Sequence, residues 1–224
     1  MKAKNLLLGF GLLLIAILAY GLLAPKMGFF LDDWYIISTY RFFGVSGFLD
    51  YFRGDRPLLS SVYLVFMPLF KDSILAWQIF AIFTKWLSAL AFWQLLRLLL
   101  PGKELIAYAA AMLFGIYPGF KFHYFVIMYS QTYFLLTLYF LSYIFMILAL
   151  RRGKKGWPLL LVALFCQFLG IAPMEYFYGL ELVRPVVLYL SIQNNGKKRA
   201  RLTETLKAWL PYALVFLGFT AVRV

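Results

Sequence analysis

Long uninterrupted apolar runs, separated by short charged segments, dominate this chain. Crossing the hydrocarbon core of a bilayer takes about 20 helical residues, so run length sorts the segments. Residues 5–24 form the first run, with Lys2 and Lys4 ahead of it. It is too long for the apolar part of a secretory signal and no small-residue cleavage site follows, which predicts an uncleaved signal anchor. A second run covers about 74–99 and stops at Pro101-Gly102-Lys103; others cover about 105–119, 130–150, 157–173, 176–192 and 208–222. Residues 57–70 are apolar but too short to cross, which predicts an interfacial or re-entrant helix. Residues 25–56 mix acids, bases and aromatics and are too polar to cross. The pattern predicts an all-α fold: a polytopic transmembrane helix bundle of about seven spans forming one domain over 1–224. The interfacial helix lies in its first extracytoplasmic loop.

Composition agrees. Hydrophobic residues make up 64% and charged residues 14% of the chain, with a mean hydropathy of +0.82, far from a soluble globular balance. A single cysteine, Cys166, excludes an intramolecular disulfide framework and a Cys-based zinc site, and a single histidine excludes a multi-His metal site. The formal charge of +13 would suit nucleic acid, but its placement argues otherwise. Basic residues cluster at 97–103, 151–155 and 197–207, in short segments between apolar runs. That is how membrane proteins set orientation, and it predicts a multi-pass cell-membrane protein with a cytoplasmic amino terminus and no nucleic-acid partner. The 25–56 segment, residues 120–129 and the turn around Glu175 then face outward. Aromatics reach 21%, many near expected interfaces, as an aromatic belt would place them.

Among only nine acidic residues, Asp32 and Asp33 stand side by side just past the first run, followed by Trp34 and, further on, by Arg53-Gly-Asp-Arg-Pro57. Unpaired charge is expensive near hydrocarbon, so both carboxylates need water, a cation, a donor set or a reacting group. One of them could serve as a general base, or the pair could cap a helix or sit solvated at the interface. On a helix, neighbours diverge by about 100°, so the two would not face the same way. Arg53 and Arg56 suit a phosphate through their forked donors, or a lipid headgroup, or Asp50 and Asp55 in salt bridges. Lys71 beside Asp72 is equally ambiguous. Lys85 lies within an apolar run and predicts a buried partner, with Glu181 one candidate; Glu181 and Arg184 are also spaced to pair with each other. His123 lies in an outward segment, where alone it makes no metal site, and Tyr129 and Gln131 lie close by in sequence.

The order of these pieces resembles the amino-terminal module of the GT-C membrane glycosyltransferases, the protein-mannosyltransferase-like enzymes that use lipid-phosphate-linked sugars. The matching residues are Asp32-Asp33-Trp34 after an in-to-out helix, Gly54-Asp-Arg-Pro-Leu58 before an interfacial helix, and Tyr117-Pro118-Gly119. Pro173-Met174-Glu175, Gly179-Leu-Glu-Leu-Val-Arg-Pro185 and Leu210-Pro211-Tyr212 follow in the same order. The motifs are short, and their sequence along a matching topology is what carries the likeness. Such enzymes continue past this length, so the resemblance implies a module, or a piece, of a longer protein. It implies sugar transfer from a polyprenyl-phosphate donor to an acceptor on the extracytoplasmic face. Asp32 or Asp33 would be the catalytic base, with Trp34, Arg53, Arg56, His123 and Glu175 contacting substrate. A divalent cation is used by some members, and adjacent carboxylates suit its oxygen ligation, but no metal site is expected from this sequence. Membrane lipids, the lipid-linked donor, an acceptor and other membrane subunits are the implied partners. A non-catalytic scaffold that keeps the module is the competing reading; a transporter, which would want paired broken helices or a repeat, ranks third.

Overall fold

The computed structural model describes residues 2–117, 124–192 and 198–223. Among them the secondary structure is helical throughout, with no strand. Helix α1 (Lys2–Ala16) continues through a π-helical turn at Ile17–Gly21. Then come α2 (Asp32–Arg53), α3 (Pro57–Phe70), α4 (Ile74–Leu99), α5 (Glu104–Gly115) and α6 (Val126–Arg152). The remaining helices are α7 (Trp157–Ile171), α8 (Tyr178–Glu181), α9 (Arg184–Ser191) and α10 (Lys198–Arg223).

Three stretches are long and apolar enough to cross a membrane: Ala3–Lys26, Ile74–Leu99 and Val126–Ile171. In the first two the apolar side chains are largely turned outward: only 17% of the best window in Ala3–Lys26 and 39% of that in Ile74–Leu99 is buried within the fold, against 50% in Val126–Ile171. Leu7, Leu18, Ile79 and Phe83 are among the exposed ones. An apolar surface of this extent needs a lipid or protein environment. The third stretch is not one rod. Around a tight turn at Gly153–Gly156 the chain reverses, so that Gly170 of α7 lies against Tyr139 of α6. Helices α4 and α6 pack along each other at the centre of the bundle, with α1 and α5 against α4 and α7 against α6. Trp77, Tyr63, Met67, Ile127, Leu135 and Ile147 are fully buried between them.

The 57–70 run and the 74–99 run form helices at the bounds expected of them. Two regions differ. Residues 25–56, expected only as a polar segment, carry the 22-residue helix α2, which breaks at Gly44 (φ +64°, ψ −160°), a conformation open to glycine. Residues 176–192 do not form one helix. The chain passes through a 3₁₀ turn (Glu175–Phe177) and α8, then restarts as the eight-residue α9 with Pro185 in its first turn. At about 12 Å, α9 alone is far too short to cross.

A fully buried ion pair sits at that break. Arg184 donates to Glu181 through Nε (2.8 Å) and an Nη (2.9 Å), and also to the Ser142 hydroxyl at 3.1 Å. Tyr139 and Gln167 donate to the same carboxylate, and the Arg184 guanidinium faces the rings of Tyr143 (4.4 Å) and Tyr212 (4.6 Å). The Leu180 carbonyl, released where the helix breaks, accepts from the Tyr143 hydroxyl at 2.6 Å. Irregular backbone is tolerated in a membrane-protein interior when such partners satisfy it. One network therefore ties α6, α7, α8, α9 and α10 together.

The charges separate to opposite ends of the bundle. Arg151 donates to the Leu98 carbonyl, Arg97 faces Glu104 at 3.9 Å, and Arg201 donates to the Tyr189 carbonyl at one end. At the other, Asp33 meets the start of α6, Arg41 meets Asp72 before α4 (3.0 Å), and Arg56 meets Glu175.

The turn at Gly153–Gly156 makes the hairpin testable. A Cβ on Gly156 would lie 2.2 Å from the Ala149 carbonyl oxygen, a backbone atom that cannot swing away. Gly156→Ala is expected to cost roughly 2 kcal/mol or more, read as a lower unfolding midpoint in detergent. Gly179→Ala, where a Cβ meets open space, should leave that midpoint almost unchanged.

Candidate functional site

At the non-basic end, the chain leaves α1 and enters α2 through Leu31 at φ +38°, ψ −105°. A leucine held there stores roughly 1–3 kcal/mol of backbone strain, which the surroundings must impose. The bend separates the two aspartates that follow. Asp33 is fully buried and Asp32 is exposed. Asp33 accepts from the backbone N–H groups of Val126 (2.8 Å), Ile127 (3.0 Å) and Met128 (3.3 Å), the first turn of α6. Phe125 offers no side-chain cap of its own, so a carboxylate from 93 residues earlier supplies it. A helix amino terminus is a natural anion site, since its first N–H groups lack intrahelical partners and its dipole favours negative charge.

Those donors would hold the Asp33 carboxyl low, but burial outweighs them and raises its pKa to about 6. Asp32 keeps its carboxylate in the open, one position back on the helix. Trp34 is 57% exposed, its ring edge-on to Phe29 at 5.6 Å.

Arg56, at the entrance to α3, meets Glu175 across the site. Its Nε lies 3.1 and 3.2 Å from the two carboxylate oxygens of Glu175 and its Nη2 lies 2.5 Å from one of them, while Nη1 reaches Asp55 at 3.1 Å. The Glu175 hydrogen bond raises the arginine's pKa further above its already high value. The guanidinium also lies 5.3 Å from the Tyr176 ring centre. Asp55 is 69% exposed and Glu175 35%, so the second is the firmer partner.

Tyr63 of α3 connects these groups. Fully buried, its hydroxyl lies within electrostatic reach of Asp33, Arg56, Tyr176 and Asp32, and burial raises its pKa. Tyr129 of α6 lies within the same reach of Asp32 and Tyr176. The expected residues Asp32, Asp33, Arg56 and Glu175 therefore gather at one end of the bundle. Arg53 pairs instead with Asp50 at 2.8 Å, both well exposed, and takes no part in this cluster. His123 and the Pro118-Gly119 motif lie outside the described residues. Gln131 is fully buried and neither polar atom of its side chain has a hydrogen-bond partner among the described residues. Tyr63 and Tyr176 join the cluster without having been singled out as site residues; a tyrosine within the apolar 57–70 run was the available signal for the first.

Lys85 does not pair with Glu181, whose carboxylate belongs to Arg184. Its ammonium lies 3.6 Å from the Tyr20 ring centre and 5.3 Å from that of Tyr133. It borders a cavity of about 60 Å³ that Tyr129 and Gln78 also line. The π-helical turn of α1 carries Tyr20 to this position. Among the described residues no group of three or more His, Cys, Asp or Glu is placed to hold a metal ion. With Asp33 facing the α6 amide groups, the acidic pair does not present itself jointly to a divalent cation. No protein-family model, no characterised protein and no solved structure matches this chain.

Asp33 makes stability pH-dependent in an unusual direction. A carboxyl in the unfolded chain titrates near 4. The folded chain therefore keeps a proton through a window in which the unfolded chain loses it. This contribution is full below about pH 4 and fades as pH rises through about 6. It is expected to amount to roughly 3 kcal/mol. The difference in unfolding midpoint between parent and Asp33→Asn, followed in detergent across that window, should change with pH and level off above it. A constant difference would overturn this role.

Proposed function

We propose that this chain is a multi-pass membrane glycosyltransferase of the GT-C kind, acting on a polyprenyl-phosphate-linked sugar at its extracytoplasmic face. The observation that carries the reading is the unequal fate of the two aspartates: one is consumed in holding the site together, and its neighbour is left exposed at the end of the bundle where Arg56 meets Glu175. The separation of basic and acidic ends supports a cytoplasmic amino terminus, with the bundle crossing about seven times and the 176–192 crossing made in pieces.

The reaction is a displacement at the sugar's anomeric carbon. The acceptor oxygen forms a bond to that carbon, the bond to the phosphate oxygen breaks, and the lipid phosphate leaves with the electron pair. Asp32 is the base that takes the acceptor proton. Asp33 acts through structure: by capping α6 it fixes where Asp32 stands. Arg56 meets the charge that grows on the departing phosphate. Its guanidinium is already shared between two carboxylates, so binding a phosphate requires one of them to give way. Asp55, the more exposed, is the one to release Nη1, while Glu175 holds the other face of the guanidinium in place. Trp34 offers an exposed ring at the same end for a sugar face.

The second reading is a scaffold that retains the module without chemistry. It is favoured by one observation: Arg56, Glu175 and Asp33 are all engaged by protein partners, as purely structural groups would be.

The two aspartates separate the readings. In cells lacking the gene, glycans and lipid-linked sugars are compared by mass spectrometry after complementation with wild type, Asp32→Asn or Asp33→Asn. Transfer predicts that deletion removes a glycan and accumulates its lipid-linked donor. Asp32→Asn should then be present at normal level in the membrane yet restore at most about one part in 10² of the product. Asp33→Asn should fail mainly through lowered protein level. Full rescue by Asp32→Asn would leave the scaffold reading standing.

A further inference from the structure

The basic end of the bundle holds a cavity that transfer chemistry does not use. It measures about 400 Å³ and opens between the α6–α7 hairpin and the pair α9–α10. Leu160, Leu188 and Pro211 form apolar wall, and Lys154 and Lys207 both line the cavity and are themselves exposed. No acidic residue is among the residues lining it; Glu204 borders a separate, neighbouring cavity. Trp157, 64% exposed, stands at the same place, as a tryptophan does at the level of lipid headgroups.

Tyr212 closes the inner wall of the cavity. It lines the cavity, it is 1% exposed, and its hydroxyl has no hydrogen-bond partner among the described residues.

We propose that this cavity binds one anionic phospholipid of the membrane, its phosphate between Lys154 and Lys207 and an acyl chain along the apolar wall. An apolar groove between helices with lysines at its rim matches a molecule that is oily at one end and negative at the other. A basic pocket between helices at a membrane face has this recognition chemistry, while a soluble anion would leave the apolar wall unused. The occupant would join the α6–α7 hairpin to α10, which otherwise touches the bundle mainly through α7 and α9. The proposal needs only that the chain lies in a membrane; it is independent of the transfer reaction.

The test is native mass spectrometry of the full chain purified in detergent. Phosphatidylglycerol and phosphatidylcholine with identical acyl chains are titrated separately, and inorganic phosphate is added as competitor. The parent should prefer phosphatidylglycerol. Replacing both lysines, Lys154→Gln with Lys207→Gln, should weaken phosphatidylglycerol about 25-fold, about fivefold per lysine, and leave phosphatidylcholine unchanged. The charge-keeping pair Lys154→Arg with Lys207→Arg should retain the preference, which separates loss of charge from misfolding. Ala208→Trp, which fills the groove, should weaken both lipids. The proposal is overturned if the parent binds both lipids equally or the glutamine pair keeps the preference. Complete displacement of phosphatidylglycerol by millimolar phosphate, with Ala208→Trp without effect, would also overturn it. A chain that stays dispersed without detergent would instead sink the membrane reading itself.

Discussion

One buried carboxylate sets the geometry of the acidic end. The first turn of α6 has N–H groups that no helix can satisfy internally, and Phe125 before it brings no acceptor. Asp33 fills that need from the far side of the chain, and doing so fixes the start of α2 against the start of α6. The strained Leu31 follows from this demand, because the chain must turn sharply to bring Asp33 inward. Asp32 faces outward as a consequence: adjacent positions on a helix point about 100° apart, so burying one exposes the other. The position of the exposed acid is thus inherited from the buried one.

A second buried charge does comparable work in the middle of the bundle. Isolated, Arg184 or Glu181 would be intolerable in such surroundings, and even as a pair they would lose much of their attraction to desolvation. Tyr139, Gln167, Ser142 and the rings of Tyr143 and Tyr212 offset that loss by giving the carboxylate further donors and the guanidinium a further acceptor and ring faces. The network is built where the chain breaks between α8 and α9, and the break begins just after the 3₁₀ turn that carries Glu175. Holding the break therefore also sets where Glu175 can meet Arg56. Two buried ionic sites, at different depths, converge on the same exposed cluster.

Much of this was legible in the sequence. The bounds of α3 and α4, the long first run and the gathering of basic residues follow from apolar run length and from Lys and Arg placement, signals that depend on local composition alone. The pairing of Glu181 with Arg184 follows from their spacing. What stayed hidden depended on distant partners. Nothing near residue 33 reveals that its acceptor role is to a helix starting at 126, and the helical character of α2 is masked by its polar, glycine-broken composition. The break at 182–183 was hidden because an apolar run looks the same whether it forms one helix or two. Lys85 shows the same limit: its burial could be inferred from its neighbours, but the choice of a tyrosine ring over Glu181 was made by a π-helical turn in another helix.

The acidic end also combines withdrawn and exposed charges. Asp33 and the Glu175–Arg56 contact are partly or fully withdrawn from water, where electrostatic contacts strengthen and geometry is held. Asp32 and Asp55 lie at the exposed margin of the same cluster, where a side chain can move at little cost. Arg56 has one half-buried carboxylate partner, Glu175, and one exposed partner, Asp55, so its two contacts differ in how firmly the surroundings hold them. Two adjacent aspartates thus supply one buried and one exposed carboxyl from neighbouring positions, which a single one could not.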